Sequence, residues 1–345
     1  MHRGRRIPRG ARRTFVCRIS GKLRDEPRAG GDMARFPFGV PNSWYVVAYS
    51  DELAPGQVQR LQYFGRDLVA FRGESGEVAV LDGYCPHLGA HLAVGGEVVG
   101  DTLRCPFHAW RWDAEGGCAE IPYAKRIPPN LCVESLPVIE RNGMVFAWYH
   151  AEGKAPDFEI PEVEGWGQDG WLASWLRWEW TIKTHPQEMA ENGIDWPHFD
   201  TVHGLPVPED RSCEFRSNSF LWHVGGAKDV STLGGQTTEL TMHGENWGMG
   251  FSWLKQSAIY DTVVATGLTP IDGETTHVRM GVIARIGDQD EPGVRAEIRA
   301  LMDEHAVFAS QDLDIWENKK YRVAPSLCEE DGPIADYRRW ASQFY

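Results

Sequence analysis

At 345 residues the chain has room for two domains, and 42% hydrophobic residues with 15 Trp are ample for a packed core. The net charge of −14 argues against a nucleic-acid partner, because neutralising phosphates needs a clustered basic surface. No run reaches the roughly 18–20 consecutive apolar residues of a membrane-spanning helix, so a soluble, cytoplasmic protein is expected.

Residues 1–32 hold nine Arg, few apolar residues and no periodicity. Two RR pairs occur there, yet no apolar stretch of about 7–15 residues follows them. The segment is expected to be a disordered basic tail, or an extension upstream of a working start at Met33. From about 44 to 150, "SWYVVAYS", "LVAFRG", "EVAVLDGY" and "GMVFAWYH" read as short strands divided by turns such as "GESGE" and "ERNG". This pattern suggests a small barrel or sandwich, a first domain over 33–155. A Pro/Gly/acid-rich connection leads to a second domain over 165–345. There a helix-like stretch near 184–203 precedes the strand-like runs "CEFRSNSFLWHV", "TTELTMHGENW", "YDTVVATGL" and "THVRMGVIARI", and a long amphipathic helix follows from about 293 to 320.

Two loops of the first domain carry the most specific signal, C-x-H-x₁₇-C-x₂-H, formed by Cys85, His87, Cys105 and His108. Structural zinc sites usually keep like ligands together, as C-x₂₋₄-C and H-x₃₋₅-H. Mixed pairs suit a two-iron cluster in which one iron takes both thiolates and the other both imidazoles, since each loop then reaches both irons. That is the Rieske [2Fe-2S] arrangement. The other five cysteines, Cys17, Cys118, Cys132, Cys213 and Cys328, have no partner at metal-ligand spacing and read as reduced, mostly buried thiols.

The second domain contributes "EMAENGIDWPHFDTVHGLP". His198 and His203 are five apart, about 140° around a helix, so both can face one metal only where the helix loosens or ends. Gly204 and Pro206 supply that ending. A carboxylate would complete a 2-His-1-carboxylate iron(II) site with open positions for O₂. Asp312 is the candidate, on one helical face with Leu301, His305, Phe308 and Trp316, where an uncompensated charge is costly. Asp314 points about 200° away.

Together with "QDLDIW" and the terminal "EEDGPIADYRRWASQFY", these motifs resemble the oxygenase components of Rieske non-haem iron oxygenases. Within that family the likeness is closest to the 3-ketosteroid 9α-hydroxylase oxygenase and cholesterol 7-desaturase branch, over about residues 37–345. The resemblance implies an α+β chain: an all-β Rieske domain, then a helix-grip catalytic domain of antiparallel sheet and long C-terminal helix, assembled as a homotrimer. It further implies a mononuclear Fe(2+) beside the [2Fe-2S] cluster, electrons from a separate NAD(P)H-dependent ferredoxin reductase or ferredoxin, O₂, and a steroid-like substrate that is hydroxylated or desaturated. Asp195 would bridge His108 of one subunit to His198 of the next, with Asn192, Glu188 and Glu191 helping to orient the site. Two alternatives stay open: the same chemistry on an aromatic or other alicyclic compound, and an electron-transfer protein whose second domain binds no iron.

Overall fold

The computed structural model describes residues 35–204, 207, 209–231, 237–257, 260–289 and 291–345; the basic segment 1–32 lies outside them. The first part of the chain forms three small antiparallel sheets. One joins Ser43–Tyr49 to Met144–Tyr149 and Val138–Arg141, and a second runs through Val58–Tyr63, Arg66–Arg72, Val78–Asp82 and Ser135–Leu136. The third, Glu97–Val99, Thr102–Arg104, Arg111–Trp112 and Cys118–Glu120, flanks the Cys/His loops. The turn read in "ERNG" is a tight hairpin with Asn142 and Gly143 both at positive φ, 56° and 68°, the backbone a two-residue hairpin between twisted strands prefers.

The second part is built on a seven-stranded antiparallel sheet in the order Leu176–Ile182, Thr276–Ala284, Asp261–Pro270, Phe251–Ser257, Thr237–Trp247, Ser219–Ser231, Asp210–Phe215. The register aligns Phe220, Asn246, Ser252, Thr266 and Met280 across five strands, which places them on one face. The 28-residue helix Glu291–Asn318 lies against the sheet. Val294, Ile298 and Met302 join a core with Leu176 and Val282, while Trp316 packs with Ile182, Leu268 and Val278. Strands Leu176–Ile182 and Phe251–Ser257 were not among the expected runs. The run "CEFRSNSFLWHV" is a hairpin, Asp210–Phe215 turning into Ser219–Ser231.

The expected helix near 184–203 is broken into Pro186–Glu191, a 3₁₀ turn Asn192–Ile194, and Trp196–His203. Proline sits in the first turn of each helical piece, where its missing N–H costs nothing. The last α-helix is Ile334–Ala341, whose Tyr337 and Trp340 bury against Ile194, Trp196 and Phe220.

The two parts share a core: Trp44, Val46 and Tyr49 of the first pack with Phe251, Val263 and Ala265 of the second. Gly250 and Gly267 make this approach possible, since a Cβ at Gly250 would lie 2.2 Å from the Trp44 carbonyl and one at Gly267 would lie 2.7 Å from Val46 Cβ. Among the described residues no helix is long and apolar enough to cross a membrane.

Candidate functional site

The two Cys/His loops have the same backbone. In each, the cysteine N–H donates to the carbonyl five residues on, Cys85 to Ala90 at 2.9 Å and Cys105 to Trp110 at 2.8 Å. In each, the N–H four residues on returns to the cysteine carbonyl, from Gly89 at 2.9 Å and from Ala109 at 3.1 Å. Gly89 and Ala109 both adopt positive φ, 74° and 59°. Two matching turns therefore face each other. Both cysteines are buried, at 2% and 3% exposure, and the rings of His87 and His108 meet with centroids 4.6 Å apart.

This set of donors fits a Rieske cluster. His108 Nδ1 and the Trp112 indole N–H are buried without hydrogen-bond partners, atoms that a bound cluster gives a use. Burial pushes the Cys85 thiol up to about 11, with the His87 main-chain N–H pulling the other way. A thiolate there is costly until a cation takes it. His87 is stacked on Trp110 at 4.2 Å, and the Trp110 N–H donates to Tyr123 Oη at 2.7 Å. The first loop thus leans on an aromatic pair that sequence spacing had not marked.

The second constellation is His198, His203 and Asp312, whose ligand atoms all lie within 4.8 Å of one another. Gly204, at φ 65°, ends the helix immediately after His203. Termination at that residue lets two positions 140° apart on an ideal helix converge. His198 Nδ1 donates to the Asp195 main-chain carbonyl, and His203 Nδ1 to Gln311 Oε1 at 2.9 Å. Both imidazoles therefore present Nε2 to the space they share. His203 Nε2 lies 3.4 Å from Asp312 Oδ2. Asn192 Nδ2 is 3.1 Å from His198 Nε2 and donates to Asp312 Oδ2 at 3.1 Å.

Asp312 is buried, at 5% exposure, and burial pushes its carboxyl up against the pull of His203 and His198. Such a carboxylate among two imidazoles and one amide is a donor set for a divalent transition metal. Asp314 is exposed, and its carbonyl accepts from Asn318.

Asp195 touches His198 through its carbonyl; burial pushes its half-buried carboxyl up. Glu188 and Glu191, which the resemblance implied would help orient the site, carry ion pairs of their own. Glu191 pairs with Arg338 at 2.6 Å and Glu188 with Lys319 at 2.7 Å, so they pin the short helix rather than touch the His/Asp cluster. Gln311 was missed; its only sequence signal is adjacency to Asp312. Several histidines left unassigned have structural partners: His185 caps Pro186–Glu191, His277 joins Tyr63 to Glu179, and His223 meets Asp210 and His243. Cys118, Cys213 and Cys328 are free thiols, whereas Cys132 is disulfide-bonded, which corrects the reading of it as reduced; an isolated cysteine carries no spacing signal for its partner. Cys17 lies outside the described residues.

Next to Asn192 a cavity of about 210 Å³ opens between sheet and helices, lined by Met189, Trp222, Asn246, Leu254, Leu268 and Trp316 among others. Trp253 also borders it. Phe251 and Met249 are core residues, each 1% exposed.

Comparison with known proteins defines the class first. The Rieske [2Fe-2S] domain family matches residues 43–137, and the family described as the 3-Ketosteroid 9alpha-hydroxylase C-terminal domain matches 147–345. The probable 3-ketosteroid-9-alpha-monooxygenase, oxygenase component, of Rhodococcus rhodochrous is 33% identical over 91% of this chain and 82% of its own length. The cholesterol 7-desaturase of Caenorhabditis elegans is 33% identical over 92% of this chain and 79% of its own length. Dicamba monooxygenase bound to dicamba shares the fold, with a TM-score of 0.70 at 18% identity, covering 88% of this chain and 97% of that one. The chain thus belongs to the Rieske oxygenases of the 3-ketosteroid 9α-hydroxylase family. It is an oxidoreductase whose cofactors are a [2Fe-2S] cluster and a mononuclear iron.

Proposed function

We propose that this chain is a terminal oxygenase acting on a steroid or sterol. In this reading Cys85, His87, Cys105 and His108 hold the cluster, and His198, His203 and Asp312 hold the mononuclear iron. The observation that carries it is the convergence of those last three side chains within 4.8 Å beside a largely apolar cavity. The iron, when bound, supplies activation of O₂ with electrons relayed from the cluster. The protein's part is to fix its ligands. The Asp195 carbonyl and Gln311 hold each imidazole with Nε2 inward, and Asn192 restrains Asp312.

The substrate class rests on the relatives, which are 3-ketosteroid monooxygenases and cholesterol 7-desaturases. A cavity of about 210 Å³ lies below the roughly 300–1,000 Å³ of typical ligand pockets. A polycyclic substrate therefore requires Trp222, Leu254 or their neighbours to yield on binding. The domain limits we assign are 33–155 for the cluster domain and 165–345 for the catalytic domain.

A homotrimer follows from the same reading. Leu88 and Phe107, beside the two histidines of the cluster loops, are 64% and 59% exposed. Ile315, Val323 and Leu327, in the part carrying the iron site, are exposed as well. Two such patches on one chain suit head-to-tail association. Asp195 would then link His198 to His108 of the next copy.

The test is EPR of the ferrous protein treated with nitric oxide, the cluster kept oxidised, with a panel of sterols and 3-ketosteroids. A high-spin iron–nitrosyl signal reshaped by one steroid supports the reading. A signal moved only by aromatic compounds favours that substrate class, and no signal in iron-loaded protein sinks the oxygenase assignment.

A further inference from the structure

The segment Pro122–Asn130 is exposed throughout and runs beside the cluster loops. Ile121 anchors it at one end in the same core as Cys85, Cys105, Trp110 and Trp112, and the bridge between Gly117 and Cys132 holds it at the other. Tyr123 is 62% exposed, yet its hydroxyl accepts the Trp110 indole N–H at 2.7 Å, and that indole is stacked on His87 at 4.2 Å. An exposed ring and a cluster-loop histidine are thus joined through one buried side chain. Lys125 and Arg126, next along, make no ion pair with any described residue. The nearest charges on the adjoining strands, Arg111 and Glu120, neutralise each other at 2.8 Å.

The chain carries a net charge of −14, which would repel an acidic protein from most of its surface. A doubly basic, aromatic-bearing loop over one face of the cluster is a local exception. We propose that Pro122–Asn130 is the docking surface for the electron donor, an acidic carrier protein with a one-electron centre. The proposal rests on the oxygenase reading above. In the transfer, one electron leaves the reduced centre of the carrier, which becomes oxidised, and enters the [2Fe-2S] cluster, which becomes reduced; no bond forms or breaks. Tyr123, Trp110 and His87 are the side chains between the docked carrier and the irons. The carrier thereby approaches from the His87 side and leaves His108 free to face a neighbouring subunit.

The test uses an acidic plant-type [2Fe-2S] ferredoxin as probe. Its oxidised form is titrated onto the holoprotein by calorimetry, and its reduced form is mixed with the oxidised holoprotein in a stopped-flow instrument. Both are done at about 20 mM and about 200 mM ionic strength. Lys125→Glu with Arg126→Glu should weaken binding and slow reduction by about tenfold or more at low salt and flatten the salt dependence. Reduction by dithionite and the cluster's EPR signal should stay as in the unaltered chain. The same charge change at Lys154 and Arg339, exposed residues away from the loop, should have less than about a third of that effect on a logarithmic scale. Equal losses in the two double variants, unchanged binding after reversal at 125 and 126, or no saturable binding to the unaltered chain would each overturn the docking site. Failure of the oxygenase reading looks different: iron-loaded protein would then give no iron–nitrosyl signal, or dithionite no Rieske signal, in any variant, whatever the ferredoxin does.

Discussion

His203 Nδ1 lies 2.9 Å from Gln311 Oε1, so the residue before Asp312 orients the imidazole that faces Asp312. Removing that acceptor while keeping bulk, as in Gln311→Leu, frees the ring to rotate and to protonate either nitrogen. Affinity for iron at this site should fall by about 10- to 100-fold. Competition with a ferrous chelator reads this directly. Gln311→Glu, which keeps an oxygen acceptor, should lose much less, and equal affinity in the Leu variant would remove Gln311 from the site.

Asp312 and Asp314 share a helix and differ in fate. Asp312→Ala should leave the Rieske signal intact while total iron drops from about three to about two per chain and product formation disappears. Asp314→Ala, on an exposed position, should keep both. Iron analysis with EPR on the two variants decides; an iron-replete Asp312→Ala protein would contradict the ligand assignment.

These candidate ligands were legible because each lies in a local pattern. The cluster motif packs four donors into 24 residues, and Gly204 marks where a helix must stop for His203 to meet His198. Gln311 and the Tyr123–Trp110 contact were not legible. The first acts on a residue 108 positions away, and the second joins two loops by a single hydrogen bond; neither leaves a periodicity. Strands Leu176–Ile182 and Phe251–Ser257 were missed for a related reason. The first mixes Arg and Glu with Trp, and the second carries Lys and Gln at intermediate burial, so neither shows a clean period of two. The helix over 184–203 looked continuous, yet Asn192–Gly193 and Pro197 divide it, and that division lets Asn192 turn toward Asp312.

His185 makes a pH prediction with a definite sign. It accepts from the Gln187 N–H at Nδ1 and faces the Gly39 carbonyl through Nε2, a pattern that needs the neutral ring. Burial lowers it from 6.5 to about 4. The unfolded chain then binds a proton that the folded one refuses between pH 6.5 and 4, so stability falls as pH drops through that window. The loss is at most about 3 kcal/mol. His185→Asn keeps an acceptor for the Gln187 amide and cannot titrate. The difference in urea-unfolding free energy between the two proteins should shift steadily in favour of the variant from pH 6.5 to 4; a pH-independent difference refutes the assignment. Glu188, pushed up by burial, acts in the opposite direction and cancels in the comparison.

The interface between the two parts of the chain gives the last prediction. Gly267 sits where a Cβ would fall 2.7 Å from Val46 Cβ and Cγ2, so Gly267→Ala forces two strands of different sheets apart. That overpacking should cost about 1–3 kcal/mol. Val46→Gly alone removes the obstructing Cβ together with its two methyl groups from a fully buried position and should cost at least as much, through the cavity it leaves and the backbone freedom it adds. The double variant restores space and contact at once, so it should be more stable than the sum of the single losses by about 1 kcal/mol or more. Gly250→Ala cannot be rescued in this way, because its obstacle is the Trp44 main-chain carbonyl at 2.2 Å, and no side-chain change moves a strand backbone. Additive losses at 46 and 267 would mean that the two strands separate freely, and the shared core would then contribute little to holding the cluster domain on the catalytic sheet.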